Sequence, residues 1–498
     1  MLVFPERVLA GDVPNRDFLH LYGPGSLWVL AAAMKGFGVS LEVQRIVGFL
    51  QQLLVAFGVL ALLRPWGRLV AAVGGAITAL IVVPPIGLTA LPWVGAVGFG
   101  LWALERGLAR PPRLAACGLL FGAALLYRPD LAVAVGASGA VLAFGLEPSQ
   151  RKRLALWTLA GTSPYLIHVA MAGPRNVVDG LFIEPVFHLR PGRSLPLPPS
   201  WDHFDGFLQR AGQLVEPPWP LPAPEGPAQL VLWLAMLVAS VVVLVGAGVG
   251  TLRRTGDRRL LVMAAFAAGL LPQAMQRADS THLAWVSCVP FGFLPAAVLE
   301  IVRHRLPRLR AAPVLAALTP LVLLLVLVPH FTYRTWADYV AQGAGWRDVD
   351  SFVISHEGRI FRYGRADAVE AVEAMLPDVE RLTEPGQTLL VGSGDLSRTP
   401  YSEAFLYYLL PDLPPATRYI EMDPGVADAE GSGLAEEVAA ADVVILSSIR
   451  DDWDEPNASR EAGSDEPNQI LARDFCLAGS YGQGLFERGL YELYLRCD

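Results

Sequence analysis

The sequence has 498 residues, of which 53% are hydrophobic and only 17% are charged, and its formal net charge is -8. Soluble domains carry about 25% charged residues, so the composition excludes a purely soluble globular chain. The negative balance, which comes largely from the C-terminal part, argues against a nucleic-acid partner.

The first 46 residues combine a polar, Gly- and Pro-rich stretch with a short apolar one. The polar stretch, residues 11–28, carries these side chains with chemical potential: Asp12, Asp17, His20 and Tyr22. Residues 25–37 are apolar, but they are few and are interrupted by glycines, which favours a helix lying in the membrane interface over one that crosses. We therefore predict that residues 1–46 form a first loop with an interfacial helix.

Ten apolar segments follow, and each is a candidate for a membrane-spanning helix, which needs about 20 mainly apolar residues. They lie near residues 47–63, 69–86, 88–104, 114–128, 131–147, 155–172, 227–252, 260–274, 282–302 and 311–330. Arginine and lysine cluster in every second linker. Because basic linkers mark the cytoplasmic side, residues 1–46, the loop 173–226 and everything after residue 331 are predicted to lie outside.

The outer loop 173–226 is long and rich in proline, with clusters at 195–199 and 217–220. Proline stiffens a loop, and loops of this length are usually lids or binding loops. An ordered loop without a chemical role is the alternative.

From residue 331 the pattern changes to that of a small α/β domain. We predict helices at 366–382, 401–410 and 432–441, strands at 388–391, 417–422 and 442–446, and a terminal hairpin at 474–497 with Tyr481, Phe486, Tyr491 and Tyr494. Cys476 and Cys497 flank this hairpin; an oxidising compartment would allow them to pair, and the sequence leaves open whether they are bridged. The Gly392-Ser393-Gly394 turn lacks a dinucleotide fingerprint, so no nucleotide site is predicted there.

Three polar clusters on the predicted outer face are the candidates for chemistry. They are Asp12, Asp17, His20 and Tyr22 in the first loop, Arg128 and Asp130 between two spans, and Arg277, Asp279 and His282 between two others. Ionisable residues next to a membrane are costly and tend to face a cavity. Arginines hold phosphate by forked hydrogen bonds, and a carboxylate takes a proton from a hydroxyl.

Structural roles are the alternatives for the same residues. Asp130 is also placed to cap the next helix, Arg277 and Asp279 to form an interfacial ion pair, and His282 to anchor a helix end among headgroups. The segment 455–459 matches an N-glycosylation acceptor formally, but an exposed loop is the preferred interpretation. The sequence contains no HExxH, CxxC, P-loop or GxSxG motif, and no essential metal or other cofactor is predicted.

The first loop and the segment 118–130 resemble parts of a known family. The run Val8–Phe18, then Tyr22-Gly23-Pro24-Gly25, and the segment 118–130 ending in Arg128-Pro129-Asp130 resemble the first outer loop and a recurring segment of GT-C glycosyltransferases. These are polytopic membrane enzymes dependent on a polyprenyl-phosphate sugar, and they include RgtA/B/C/D-like and mannosyltransferase-like proteins. The C-terminal part is similar to the extracytoplasmic domains of many actinobacterial members.

This resemblance implies a GT-C-like, mainly α polytopic membrane protein with about ten spanning helices (47–330) and a C-terminal extracytoplasmic α/β domain (331–498). It implies an inverting glycosyltransferase of the plasma membrane, acting on a polyprenyl-phosphate-linked sugar and a glycan, glycolipid or protein acceptor. Asp17, with Asp12 beside it, is the expected catalytic base. The expected ligands of the lipid phosphate and substrate are His20, Tyr22, Arg128, Asp130, Arg277, Asp279 and His282.

Two departures leave alternatives open. Family members usually have a spanning helix and an acidic motif ahead of this loop, whereas this sequence begins inside the loop. A start codon assigned too late, a missing first helix and loss of the base are the three explanations.

Two other functions compete with the glycosyltransferase. One is a non-catalytic membrane scaffold with a glycan- or partner-binding C-terminal domain. The other is a transporter or flippase, although no internal repeat is visible.

Overall fold

The computed structural model describes residues 1–85, 87–211, 226–328, 335–349, 351–484 and 488–497. Three predicted features lie outside these residues: the proline cluster at 217–220, the last two residues of the segment 311–330, and Phe486 in the hairpin.

The first residues form two helices joined by the polar loop. Helix α1 spans Val3–Ala10 and α2 spans Pro24–Phe37. Proline suits the first position of α2, because the N–H that proline lacks would have no partner within the helix at that position. Gly38 ends the helix with a φ of 93°. The predicted helix at 25–37 is therefore present. Its buried side includes Leu27 and Leu30, which pack in a hydrophobic cluster shared with the C-terminal part.

Each of the ten predicted apolar segments contains a helix. These helices are α3 (Leu41–Leu63), α4 (Arg68–Val82), α5 (Pro92–Leu108), α6 (Leu114–Tyr127), α7 (Ala132–Phe144), α8 (Pro148–Thr162), α9 (Pro164–Ala172), α13 (Gly226–Thr255), α14 (Arg259–Gln276), α15 (Ser280–Arg305) and α16 (Ala312–Leu327). The segment 155–172 holds parts of two of them, α8 and α9. The helices share one large core of buried apolar side chains.

In the described part of the chain, four stretches of helix are long and apolar enough to cross a membrane: Leu41–Trp66, Pro148–Ala172, Gly226–Thr255 and Ser280–Arg305. This makes the chain a membrane protein with a predominantly helical fold. Several other helices of the described chain are apolar but shorter. The expected number of about ten spans therefore stays a prediction.

The described part of the loop 173–226 is ordered and largely helical. It contains α10 (Pro174–Val178), a π-helical segment (Asp179–Leu189), α11 (Arg190–Arg193) and, after an extended stretch, α12 (Phe207–Ala211). Such wide-turn helical segments are rare and often occur at functional sites. The predicted lid is thus a structured arm that lies between the helices and the C-terminal part.

The C-terminal part is an α/β domain, as predicted. Its elements are α17 (Thr335–Gly343), β1 (Phe352–His356), β2 (Arg359–Tyr363), α18 (Ala366–Leu382), β3 (Leu389–Ser393), α19 (Phe405–Leu409), α20 (Leu434–Ala440), β4 (Val443–Ser447), α21 (Glu466–Asp474), β5 (Phe475–Tyr481) and β6 (Tyr491–Arg496). The main sheet has the order β3-β4-β6-β5. Strands β3 and β4 are parallel, and β6 is antiparallel to both β4 and β5.

Most elements predicted for this domain are present, and one predicted strand is not. The terminal hairpin is present, and Cys476 and Cys497, whose pairing the sequence left open, form a disulfide across it. The predicted strand 417–422 is absent: the chain touches β3 through a single bridge, at Pro415. Two consecutive prolines, Pro414 and Pro415, cannot donate to a ladder, and the segment leaves the sheet to reach the first loop, where the Leu19 amide donates to the Arg418 carbonyl.

Candidate functional site

Two turns between apolar helices carry the same Arg-x-Asp pattern on one face of the protein. Arg128 follows the last residue of α6 and pairs with Asp130 through two hydrogen bonds of 2.8 and 2.5 Å. Arg277 follows the last residue of α14, and its Nε donates to Asp279 at 2.9 Å. A helix C-terminus carries partial negative charge, which favours a cation. Each turn therefore holds a guanidinium at a helix end with its counter-ion two residues later.

The first loop docks onto the end of α6 through its Tyr22-Gly23-Pro24-Gly25 motif. The Gly23 amide donates to the Tyr127 carbonyl at 3.1 Å. A Cβ on Gly23 would lie 2.1 Å from the Leu126 carbonyl oxygen, so only glycine permits this approach. The contact places the ring of Tyr22 4.5 Å from the guanidinium carbon of Arg128, which is cation–π distance.

Arg277 is the centre of a buried ion network that joins the helices to the C-terminal domain. Its guanidinium forms a bidentate pair with Glu455, and it also donates to the Arg193 carbonyl at 2.7 Å. The side chains of Arg277 and Glu455 are 2% and 0% exposed. Burial would raise the pKa of Asp279, but His282 and Arg277 more than offset this and hold that pKa below its usual range. One arginine thus balances two buried carboxylates.

The prediction that residues 455–459 form an exposed loop was wrong. Glu455 and Ser459 are buried. Asn457 donates to the Ser194 carbonyl at 3.1 Å and accepts from the Ser459 hydroxyl. The amide nitrogen that a glycan would occupy is therefore engaged, and the loop serves as a contact between the C-terminal domain and the arm.

The arm brings Arg193 to the same place. Gly192 lies so close to the C-terminal domain that a Cβ there would be 2.7 Å from the Pro424 carbonyl oxygen. Arg193 then faces Asp423, with 3.6 Å between Nη1 and Oδ1, and lies over the ring of Tyr401 at 5.4 Å. Burial alone would lower the pKa of Arg193, but the surrounding tyrosines and carboxylates raise it, so the guanidinium stays charged.

A cavity of about 500 Å³ lies where these elements meet, within the size range of small-molecule sites. Its ionisable lining consists of Tyr22, Arg128, Asp130, Arg190, Arg193, Arg277 and His282. Its apolar lining comes from helices α5, α7, α14 and α15 and from the arm, and includes Trp93, Leu181, Phe182, Leu270 and Trp285. The cavity therefore combines several guanidinium groups with an apolar wall that continues into the helical part.

A smaller space of about 20 Å³ adjoins this cavity and shares Leu21 and Tyr22 with it. It is lined by His20 from the first loop and by Glu421 and Asp423 from the C-terminal domain. Burial lowers the pKa of His20 to about 3, so its imidazole is neutral. A space of this volume holds about one water molecule.

The structure brings together most, but not all, of the predicted site residues. Five line the large cavity: Tyr22, Arg128, Asp130, Arg277 and His282. Asp279 lies behind Arg277 and caps α15, accepting from the His282 amide at 2.8 Å. The ion pair of Arg277 with Asp279, offered above as a structural alternative, is present, but it is buried rather than interfacial. His20 lines only the smaller space.

Asp12 and Asp17, the predicted catalytic carboxylates, line neither space. Asp12 pairs with Arg7 at 2.7 Å. Asp17 accepts from the Val13 amide at 2.7 Å and pairs with Arg16, which lowers the pKa of Asp17. Both carboxylates therefore hold the conformation of the first loop in this structure, and their catalytic assignment stays a prediction.

Several residues of the site were not predicted from the sequence. They are Arg190 and Arg193 in the arm and Tyr401, Glu421, Asp423 and Glu455 in the C-terminal domain. The two arginines of the Arg190-Pro191-Gly192-Arg193 run, in a loop already suspected of being a lid, were a usable indication. No comparable indication marked the carboxylates in the sequence, because their approach to the helices depends on tertiary packing across hundreds of residues.

One group of potential metal ligands occurs among the described residues, formed by His356, Glu357 and Glu380. It belongs to the β1–β2 turn and to α18, and its two carboxylates are exposed. None of its members lines the large cavity. The expectation that no metal is essential stays a prediction.

Comparisons with known proteins give likenesses of structure. No protein-family model and no curated protein matches the sequence. ArnT from Cupriavidus metallidurans bound to undecaprenyl phosphate aligns over 99% of this chain and 92% of its own, with 15% identity and a TM-score of 0.48. The Archaeoglobus fulgidus oligosaccharyltransferase, tethered with an acceptor peptide, aligns over 99% and 69%, with 12% identity and a TM-score of 0.47.

The archaeal oligosaccharyltransferase AglB from Archaeoglobus fulgidus, in complex with an inhibitory peptide and a dolichol-phosphate, aligns over 97% of this chain and 69% of its own. It has 13% identity and a TM-score of 0.45. Likenesses at this level do not by themselves establish an activity. The function of this chain therefore has to be argued from its own residues.

Proposed function

We propose that this protein is a membrane glycosyltransferase of the GT-C type that moves a sugar from a polyprenyl-phosphate donor to an acceptor outside the cytoplasm. The observation that carries the proposal is the large cavity, in which arginines from three separate parts of the chain meet an apolar wall. A lipid-linked phosphate needs both features at once, because its chain is apolar and its headgroup is anionic.

The arginines of the cavity have distinct roles in this proposal. Arg128 and Arg277 are each engaged with carboxylates, so they supply a fixed electrostatic background. The distance from Arg193 to Asp423 is 3.6 Å, which is too long for a hydrogen bond, and Arg190 is exposed. These two retain donors for a phosphate, and guanidinium groups bind phosphate by forked hydrogen bonds.

Catalysis would follow from charge development on the departing lipid phosphate. As the acceptor oxygen attacks the anomeric carbon, the bond between that carbon and the phosphate oxygen breaks, and the phosphate gains negative charge. Preorganised cations at that position stabilise the transition state more than the ground state. The chemistry needs a base for the acceptor proton and positive charge for the phosphate, and no step requires a cofactor.

We place the site on the outer face of the plasma membrane, with the C-terminal domain extracytoplasmic. The alternation of basic linkers supports this orientation. The disulfide between Cys476 and Cys497 supports it independently, because disulfides persist in oxidising compartments. A membrane-impermeant protease added to intact cells lacking a wall should cleave the C-terminal domain, and protection of that domain would overturn the orientation.

The first test is binding of undecaprenyl phosphate to the purified full chain, followed by native mass spectrometry. Arg193→Gln should weaken binding about tenfold or more, because a hydrogen bond to a charged group contributes about 1.5–3 kcal/mol. Arg305→Gln is the matched control, since Arg305 lines a different cavity at the opposite end of α15 and its change should leave binding as it is.

The second test is transfer. Membranes containing the protein are incubated with a panel of polyprenyl-phosphate sugars, and release of the lipid phosphate is measured with and without Arg193→Gln. Equal binding by the two arginine variants, or a wild-type protein that neither binds undecaprenyl phosphate nor releases it from any donor, would overturn the proposal and favour the scaffold.

A further inference from the structure

Asp423 is a buried carboxylate that the proposed phosphate site leaves unexplained. It is 6% exposed, and its Oδ1 has no hydrogen-bond partner among the described residues. A buried polar atom without a partner costs free energy and calls for a functional reason. Its nearest ion-pair partner is Arg193, at 3.6 Å, which is too long for a hydrogen bond.

The position of Asp423 connects the two spaces of the site. It lines the smaller space, while Arg193 lines the larger one, and Tyr22 belongs to both. The smaller space has room for about one water molecule. A general base acts on a hydroxyl directly or through one water, so a hydroxyl bound near Tyr22 lies within the reach of this carboxylate.

We infer that Asp423 accepts the proton of the acceptor hydroxyl, and that this protonation releases Arg193 to hold the departing lipid phosphate. The inference rests on the proposed function and adds to it the base and the coupling. It differs from the sequence-based expectation for Asp17, which lies outside both spaces.

The step conserves atoms and charge. The acceptor oxygen forms a bond to the anomeric carbon, and the bond from that carbon to the phosphate oxygen breaks, leaving its electron pair on the phosphate. The proton moves from the acceptor to Asp423, which becomes neutral, and the phosphate changes from a diester monoanion to a monoester dianion. One negative charge therefore disappears beside Arg193 on one side and appears on the other.

The surroundings of Asp423 are compatible with a proton acceptor near neutral pH. Burial raises the pKa of Asp423, Arg193 lowers it and Glu421 raises it again, to about 7. The other titratable groups near this site are Tyr22, His20, Tyr401 and the amino group of Met1, which lies near Glu421. His20 is neutral throughout the physiological range.

Binding of undecaprenyl phosphate by the purified full chain at pH 8 and pH 6 tests the coupling. At pH 8 Asp423 is ionised and competes for Arg193, so Asp423→Asn should bind about tenfold more tightly than the wild type. At pH 6 the wild-type carboxyl is protonated, and the difference should shrink. Because the phosphate itself titrates in this range, the comparison is between proteins at one pH. Glu430→Gln, an exposed carboxyl of the same domain, is the control and should behave as the wild type.

The outcomes are separable. A gain of affinity cannot come from misfolding and would support the inference. Equal or weaker binding at pH 8 by an Asp423→Asn protein that keeps the thermal midpoint of the wild type, or the same difference at both pH values, overturns the inference alone. Failure of the wild type to bind at either pH overturns the proposed function with it. In the transfer assay Asp423→Asn should lower the rate of lipid-phosphate release by about 10²–10⁴-fold, the usual contribution of a general base, and an unchanged rate would remove Asp423 from the reaction.

Discussion

The bidentate contact between Glu455 and Arg277 should control how firmly the C-terminal domain is held against the helices. Both side chains are almost fully buried, and breaking a buried pair costs about 3–5 kcal/mol. In Glu455→Gln the guanidinium keeps Asp279 as a counter-ion, so the lower end applies, about 3 kcal/mol. We expect the variant to fold and to open locally at this contact.

Hydrogen exchange followed by mass spectrometry measures that opening. The Leu195 amide donates to the Gln276 carbonyl at 3.4 Å, and the Ser459 amide donates to the Asn457 side chain at 3.0 Å. A local loss of about 3 kcal/mol corresponds to roughly 150-fold faster exchange, since 1.36 kcal/mol is a factor of ten. Peptides covering these two amides should show it, while peptides from the sheet of the C-terminal domain should not.

Asp454→Asn is the matched control at the neighbouring position. Asp454 pairs with Arg460, but these side chains are 64% and 52% exposed, and exposed ion pairs contribute about 0–1 kcal/mol. Its exchange should stay within about threefold of the wild type. Indistinguishable exchange in Glu455→Gln and Asp454→Asn would refute the argument that burial makes the first pair matter.

Three further changes have outcomes fixed by the structure. Replacing Cys476 and Cys497 with serine should lower the free energy of unfolding by about 3 kcal/mol for a separation of 21 residues, measured by denaturant unfolding of the purified protein, whereas an unchanged value would mean that the pair is unformed. Gly122→Ala should lower the thermal midpoint, because its Cβ would lie 2.5 Å from the backbone of α8; Gly136→Ala, with nothing within 4 Å, should keep or raise the midpoint. Tyr22→Ala should weaken binding of undecaprenyl phosphate about two- to fivefold by removing the cation–π contact of about 0.5–1 kcal/mol, and Tyr22→Phe should not; equal loss in both would point to the hydroxyl instead.

The helical part was predictable because its cause is local. A run of apolar residues must form helix in a membrane to satisfy its backbone, and each predicted segment does contain one. The two Arg-x-Asp turns were found by the same reasoning, since charges beside apolar helices are costly and stand out. The prediction of a strand at 417–422 was wrong because Pro414 and Pro415 end the hydrogen-bonded ladder before residue 417.

The other residues of the site could not be predicted, because they come together from distant parts of the sequence and show no local pattern. Glu455 lies 178 residues from Arg277, and Asp423 lies 230 positions after Arg193 in the printed sequence. Acidic residues are common in that domain, so nothing local distinguishes these two from solvated neighbours. Asp17 attracted the catalytic assignment because its loop is conspicuous, whereas the fold uses its carboxylate to cap the turn that begins at Val13.

The packing of the first helices has a consequence for the order in which the protein is made. Glu6 in α1 pairs with Arg359, and Arg7 donates to the Thr417 carbonyl, while the cluster that covers Phe4 extends as far as Leu493. Residues that leave the ribosome early therefore wait through nearly the whole of translation for the partners that bury them. Leu493 lies in β6, so the packing around Phe4 is complete only after that last strand has been made.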